Sequence, residues 1–101
     1  MVTIKAKNAK SLLNKTKGLI GKKTIEPLYF ETRFGIHTFG VREPIDIVIL
    51  DKHNRIVTLK EYLKPNRIFL WNPLFKKVVE LPKGTIKSKR LTLGAIIEVT
   101  G

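Results

Sequence analysis

IDIVILDKHNRIVTLKEYL, residues 45–63, decides the architecture. Ile45 to Leu50 puts branched aliphatic side chains on both faces, interrupted only by Asp46. That pattern predicts a central strand covered on two sides. Asp51-Lys52-His53-Asn54 is a turn, because Asp and Asn bond their own backbone and tolerate unusual dihedrals. From Arg55 to Leu63, Ile56, Thr58, Lys60 and Tyr62 alternate with Val57, Leu59, Glu61 and Leu63. Two such strands around a short turn make a hairpin, and the hairpin sets the class as mainly β.

Outward from it the same signals recur. Val2 to Ala6 alternates as a short strand, and Asn8 can cap a short N-terminal helix whose Leu12, Leu13, Thr16, Leu19 and Ile20 share one side. Gly18 and Gly21 end that helix. Leu28-Tyr29-Phe30 is a brief strand after Pro27, and Phe34 to Val41 is a second one. Pro44 breaks the latter, since it has no N–H to donate. Ile68 to Trp71 is an apolar run stopped by Asn72-Pro73, and Lys77 to Leu81 is a strand closed by Pro82-Lys83-Gly84. Thr85 to Leu91 holds one helical turn, and Ala95 to Thr100 is the last strand. Six to seven short strands with one short N-terminal helix predict a compact β-sandwich or a partly closed barrel. At 101 residues the chain, 1–101, is a single domain.

The 43% hydrophobic content argues against disorder. No apolar run approaches the ~20 residues that span a bilayer, and the opening MVTIKAKNAKSLLNK lacks the apolar core of a secretory signal. A cytoplasmic location is expected on that basis. The absence of cysteine excludes disulfides, thiolate metal sites and thiol nucleophiles.

Charge is unevenly spread. Lys and Arg number 20 against 8 acids, a net +12. Residues 1–24 hold seven lysines and no acid, whereas residues 64–90 hold eight basic side chains against Glu80 alone. A neutral middle separates the two blocks. Such a field attracts polyanions. The plainer reading is a lysine-rich, heat-resistant composition, although the matching glutamates are missing.

Two polar groups stand out inside apolar strands. Asp46 shares a face with Val48 and Leu50, and a carboxylate there must be paired or hydrogen-bonded. Either it accepts N–H bonds from the Gly40–Glu43 turn or pairs with Arg42, or it is a pocket acid. His37, among apolar neighbours, reads first as a satisfied core histidine. If residues 35–41 fold back on 45–50 about Glu43, His37 opposes Ile49 and Asp46 opposes Gly40, on opposite faces. Only a one-residue slip, such as a bulge at Gly40, would unite His37 with Asp46. Neither His53 nor the scattered acids suggest a metal site, and Ser11 and Ser88 lack a nucleophile motif. The aromatics Phe69 and Trp71 beside Arg67, Lys76 and Lys77 can fill the core, meet a partner or stack bases.

Five segments carry a family resemblance: GLIGK (18–22), IHTFGVREPIDIVILD (36–51), LKP (63–65), VVELPKGT (78–85) and LGAIIEV (93–99). In order and spacing they resemble the uncharacterised family called domain of unknown function 192, over roughly residues 12–100. The PID-x-x-x-LD and VELP-x-G parts are the most specific. The resemblance implies a small, mostly β, barrel-like or sandwich domain and no established activity. The chain departs from the family pattern at Ile20 and Val41, where methionine is usual. Arg33 stands where a cysteine often precedes IHT, and Gly94-Ala95 where the pattern has GD.

Three functions follow as expectations. The first is a non-enzymatic module holding a small ligand or protein in a shallow groove lined by His37, Arg42, Asp46, Trp71 and Glu80. The alternative is a polyanion- or RNA-binding module using Lys5, Lys7, Lys10, Lys15, Lys17, Lys64, Arg67, Lys76, Lys77, Lys87, Lys89 and Arg90. The last is a hydrolase-like enzyme with a His37–Asp46 pair. No catalytic residue, metal or cofactor is assigned.

Overall fold

The computed structural model describes residues 1–8 and 26–101. Its strands are β1 (Val2–Lys5), β2 (Lys7–Asn8), β3 (Leu28–Glu31), β4 (Ile36–His37), β5 (Ile45–Leu50), β6 (Ile56–Leu63), β7 (Ile68–Phe69), β8 (Lys77–Pro82) and β9 (Ile97–Thr100). Among the described residues one helix, α1 (Thr85–Ser88), accompanies them. The helix expected after Asn8 lies outside the described residues; Asn8 itself is the last residue of β2.

All six side chains of β5 are buried, and the strand pairs antiparallel with β6 on one side and β8 on the other. The full order is β2-β3-β8-β5-β6. Ile45, Ile47 and Ile49 pack with Leu28, Phe30 and Val78 on one face of this sheet. Val48 and Leu50 pack with Val79 and Leu81 on the other. An apolar strand with no polar face needs cover on both sides, and two small ladders supply it. The antiparallel β4–β7 ribbon brings Ile36 and Phe69 onto the first face; the parallel β1–β9 pair and Ile86 of α1 cover the second. Backbone bonds from Ala6 N–H to Thr100 O (2.7 Å) and from Lys7 N–H to Pro27 O (3.0 Å), with an Arg55–Ile96 bridge, join the ladders edge to edge. The result is a mainly β domain of open ladders.

The hairpin considered between residues 35–41 and 45–50 does not form. β4 pairs with β7 instead, His37 lying opposite Ile68, and only Ile36 and His37 are strand within that stretch. Backbone geometry explains the shortening. Gly35 (φ 90°) and Gly40 (φ 85°) both adopt left-handed dihedrals that end an extended run. Gly35 is also a close approach: a Cβ there would sit 2.7 Å from Phe69 O, so no larger residue fits. Between them Thr38, fully buried, turns into the next loop. Its hydroxyl donates to Lys64 O (2.7 Å) and accepts from Arg67 N–H (2.9 Å), while its own N–H donates to Arg67 O (2.9 Å). The chain is thereby committed to residues 64–67 rather than to β5.

Asp46 is wholly buried, and its partners are not the Gly40–Glu43 turn. Register shifts between β5 and β6 from Ile45–Leu63 to Ile47–Lys60, so Glu61 and Tyr62 together face Asp46. This is a β-bulge, and Tyr62 takes φ 56° in it. Asp46 Oδ1 accepts the Tyr62 N–H (3.0 Å). Its Oδ2 accepts the Ile86 N–H (2.9 Å) in the first turn of α1, whose N-cap, Gly84, makes no side-chain cap bond. Helix-starting N–H groups have no partner within the helix. One carboxylate therefore supplies the cap from a distant strand and holds the bulge as well.

Asp46→Asn retains one acceptor but turns an N–H₂ toward the other buried donor. We expect it to lower stability by about 1–3 kcal/mol and Asp46→Ala by more, because buried N–H groups lose charged acceptors. Urea unfolding at an unchanged m-value is the measurement, and midpoints equal to the parent's would refute the bridging role.

Candidate functional site

The five residues expected to line one groove are divided by the sheet. Strand parity puts Asp46 with Val48 and Leu50 on the α1 face, while Glu80, opposite Ile47 and Leu28, lies on the β4–β7 face. Both carboxylates are buried, whereas His37 and Arg42 are exposed. Trp71 is half-buried against the core, and its Nε1–H donates to Phe75 O (2.7 Å). His37 is thus not the core histidine expected. Its Nδ1 accepts the Phe39 N–H (3.3 Å), and both Asp46 oxygens serve backbone N–H groups. The structure brings no His37–Asp46 pair together.

The basic residues are also distributed. Lys10, Lys15 and Lys17 lie outside the described residues. Lys5 and Lys7 stand exposed on β1 and β2; Lys64, Arg67 and Lys76 lie exposed along the β6–β8 connection; Lys87, Lys89 and Arg90 are exposed on and just after α1. Lys77 alone of the described set is half-buried. Among the described residues no group of three or more His, Asp or Glu side chains is gathered for a metal ion, and no helix is long and apolar enough to cross a membrane.

What the fold assembles instead are two surfaces. The first is the outer side of the β4–β7 ribbon. Because side chains alternate, the Ile36–Phe69 pair faces the core and the His37–Ile68 pair faces solvent. The His37 imidazole stacks on the Phe39 ring at 5.2 Å between centroids and 27° between planes. Phe34 is 84% exposed and Ile68 64%. The clamp made by Thr38 fixes the 64–67 loop, which carries Lys64 and Arg67, beside this step, and the Arg67 guanidinium reaches back to Asn66 O (3.3 Å). Thr38 was legible only as part of the IHT motif. Its role depends on a partner 26 residues away.

The second surface is a cleft of about 230 Å³ lined by Arg33, Leu50, Asp51, Lys52, Leu74, Phe75, Lys76 and Lys77. Asp51 is its one lining carboxylate and is already engaged. Its Oδ1 accepts the N–H groups of His53 (2.8 Å) and Arg55 (2.9 Å), and Oδ2 meets Arg55 Nε at 3.1 Å. The Arg55 backbone bond, aided by the other donors, holds this carboxyl below the usual carboxylate range. Lys77 Nζ donates to Asn54 Oδ1 (2.8 Å) and reaches Lys52 O at 3.4 Å. On the other side of Lys77 lies a second cleft of about 230 Å³, bordered by Tyr29, Asn54 and residues 99–101.

Tyr29 donates its hydroxyl to Glu31 Oε2 (3.0 Å). Burial, then the hydrogen bond to Glu31 and its negative charge, push the phenol from 10.0 up to about 12. Between those values the unfolded chain has lost this proton and the folded chain keeps it, so stability falls as pH rises from 10.0 to about 12. Tyr29→Phe should flatten that part of the stability profile. Identical alkaline slopes in thermal melts of both proteins would contradict it.

The model of the family DUF192, described as uncharacterized ACR, matches residues 1–99. A UPF0127 protein of Pyrococcus horikoshii is 34% identical over 92 residues, spanning 85% of this chain and 79% of its own. A UPF0127 protein of Pyrococcus abyssi is 35% identical over 80 residues, 77% of this chain and 68% of its own. A crystal structure of a protein of unknown function from Novosphingobium aromaticivorans superposes with TM-score 0.78 at 15% identity, covering 88% of this chain and 70% of that one. A "putative transcription regulator" from Sinorhizobium meliloti gives 0.72 at 17%, covering 88% and 76%. These two likenesses establish the fold. With a family match over nearly its whole length, on the fold that its signature segments imply, this chain belongs to the DUF192 family of uncharacterised proteins.

Proposed function

We propose that the domain is a non-enzymatic binding module whose partner is single-stranded RNA, held on the outer side of the β4–β7 ribbon. The observation that carries this reading is the exposed His37–Phe39 stack beside Lys64 and Arg67. Exposed rings with a basic loop beside them match what an unpaired strand offers: a π-face on every base and a charge on every phosphate. The net charge of +12 supplies long-range attraction. Against the His37–Asp46 pair stands the engagement of Asp46 with two backbone N–H groups, which takes up both of its oxygens.

Fluorescence anisotropy with labelled oligouridine tests this. Affinity should fall steeply as salt rises from about 50 to 200 mM, and Arg67→Ala should reduce the salt slope by about 0.7 per lost phosphate contact. Phe39→Ala should weaken binding about 5- to 150-fold, the equivalent of the ~1–3 kcal/mol carried by one stacked base. No binding at ~50 mM salt sinks the reading. So does binding that Phe39→Ala leaves unchanged, since charge alone would then account for it.

A further inference from the structure

The cleft at Lys77 is a different place with different chemistry. We infer that it is a built anion site for a phosphomonoester, separate from the ribbon surface. Four cations line it, Arg33, Lys52, Lys76 and Lys77, against Asp51. Lys76 is partly offset by Glu31, 3.5 Å away. Arg55, which pairs with Asp51, adds a fifth cation, so five positive charges stand against these two carboxylates, an excess of three. That excess favours a phosphomonoester dianion over a monoanionic carboxylate.

Two of the cations are held before any ligand arrives. The Lys77 ammonium is half-buried and fixed by Asn54 Oδ1 and Lys52 O, both neutral acceptors that do not cancel its charge. Arg33 is tied through Nη1 to Pro73 O (2.9 Å) and Leu74 O (3.3 Å). A guanidinium held by one nitrogen still offers its other N–H groups to an oxyanion. Pre-placed donors spare a ligand the entropy of ordering long side chains. The ion pairs found among the described residues, Arg55–Asp51 and Lys76–Glu31, include neither Lys77 nor Arg33.

The rest of the lining sets the ligand class. Leu50, Leu74 and Phe75 give the cleft an apolar wall, which suits a carbon substituent on the phosphate. At about 230 Å³ the space lies below the ~300–1,000 Å³ common for sites of larger ligands. It therefore takes a phosphate with the group next to it. That chemistry is shared by a free nucleoside monophosphate and by the 5′-phosphate end of an RNA strand.

Calorimetry on the full chain, above about pH 7 where the phosphate is dianionic, tests the site with phenyl phosphate, uridine 5′-monophosphate and benzoate. Phenyl phosphate should bind, with benzoate at least about tenfold weaker, reflecting the single charge lost. Lys77→Met should weaken the phosphate ligands about tenfold or more, Lys52→Gln should weaken them several-fold, and Lys87→Met, on α1, should leave them unchanged. Lys52 is exposed and contributes only its backbone oxygen to a hydrogen bond, so Lys52→Gln keeps the test valid if Lys77→Met fails to fold.

A second arm compares oligouridine with and without a 5′-phosphate. Tighter binding of the phosphorylated strand, removed by Lys77→Met, identifies the strand end as the source; a response of the free nucleotide alone identifies a small metabolite. If benzoate matches phenyl phosphate, or if no phosphate ligand responds to Lys77 or Lys52 substitution, the inference is overturned. Phe39→Ala acts on the unphosphorylated strand and not on phenyl phosphate, so failure of the ribbon reading is distinguishable from failure of this one.

Discussion

The carboxylate of Asp46 joins three parts of the molecule by hydrogen bonds: the central strand β5, the bulge of β6 and the start of α1. It sits in the most buried strand, accepts the N–H of Tyr62 at the β6 bulge and accepts the N–H of Ile86 at the start of α1. Each of these N–H groups would otherwise be a donor without an acceptor in an apolar setting, at a cost of kilocalories. A central strand of isoleucine, valine and leucine alone would pack as well. It would not determine where β6 shifts register or where α1 begins. The polar residue inside the apolar run makes the hairpin specific rather than merely hydrophobic.

Other signature side chains act in the same way. Asp51 closes the β5–β6 turn by accepting the N–H groups of His53 and Arg55. Thr38 ties the short β4 strand to the 64–67 loop through hydroxyl and backbone alike. Thr85 donates its hydroxyl to Pro82 O at 2.6 Å, and Gly84 takes φ 83°, where a side chain would be strained. The IHT, PID-x-x-x-LD and ELP-x-GT segments are therefore read most directly as solutions to backbone hydrogen bonding at irregular points of a β fold. Motifs of this kind identify a fold through its backbone geometry, and the family resemblance implied that architecture without an established activity.

Function has to be sought where side chains face water. The outer side of the ribbon and the Lys77 cleft draw on the basic stretch between residues 64 and 77 and on residues 33–39 that the fold lays beside it, with Leu50, Asp51 and Lys52 completing the cleft. Thr38 and Arg33 make that juxtaposition, the first through Arg67 and Lys64 and the second through Pro73 and Leu74. Both contacts are long in sequence and short in space. Cations near in the chain, such as Lys87, Lys89 and Arg90, end up with α1 on the other face of the main sheet.

The sequence by itself determined the β class, the buried central strand, the β5–β6 hairpin with its Asp51 turn, and the short helical turn after Pro82. Those features depend on neighbouring residues: alternation, continuous apolar runs, proline and Asx turns act over a few positions. Tertiary structure alone decided that β4 pairs with β7 instead of β5, that His37 faces solvent, and that Asp46 and Glu80 lie on opposite faces. It also decided which lysines line a cleft. Strand pairing and side-chain facing are settled by which buried donors and apolar faces find partners across the whole chain, and a one-residue bulge at Tyr62 is enough to change them.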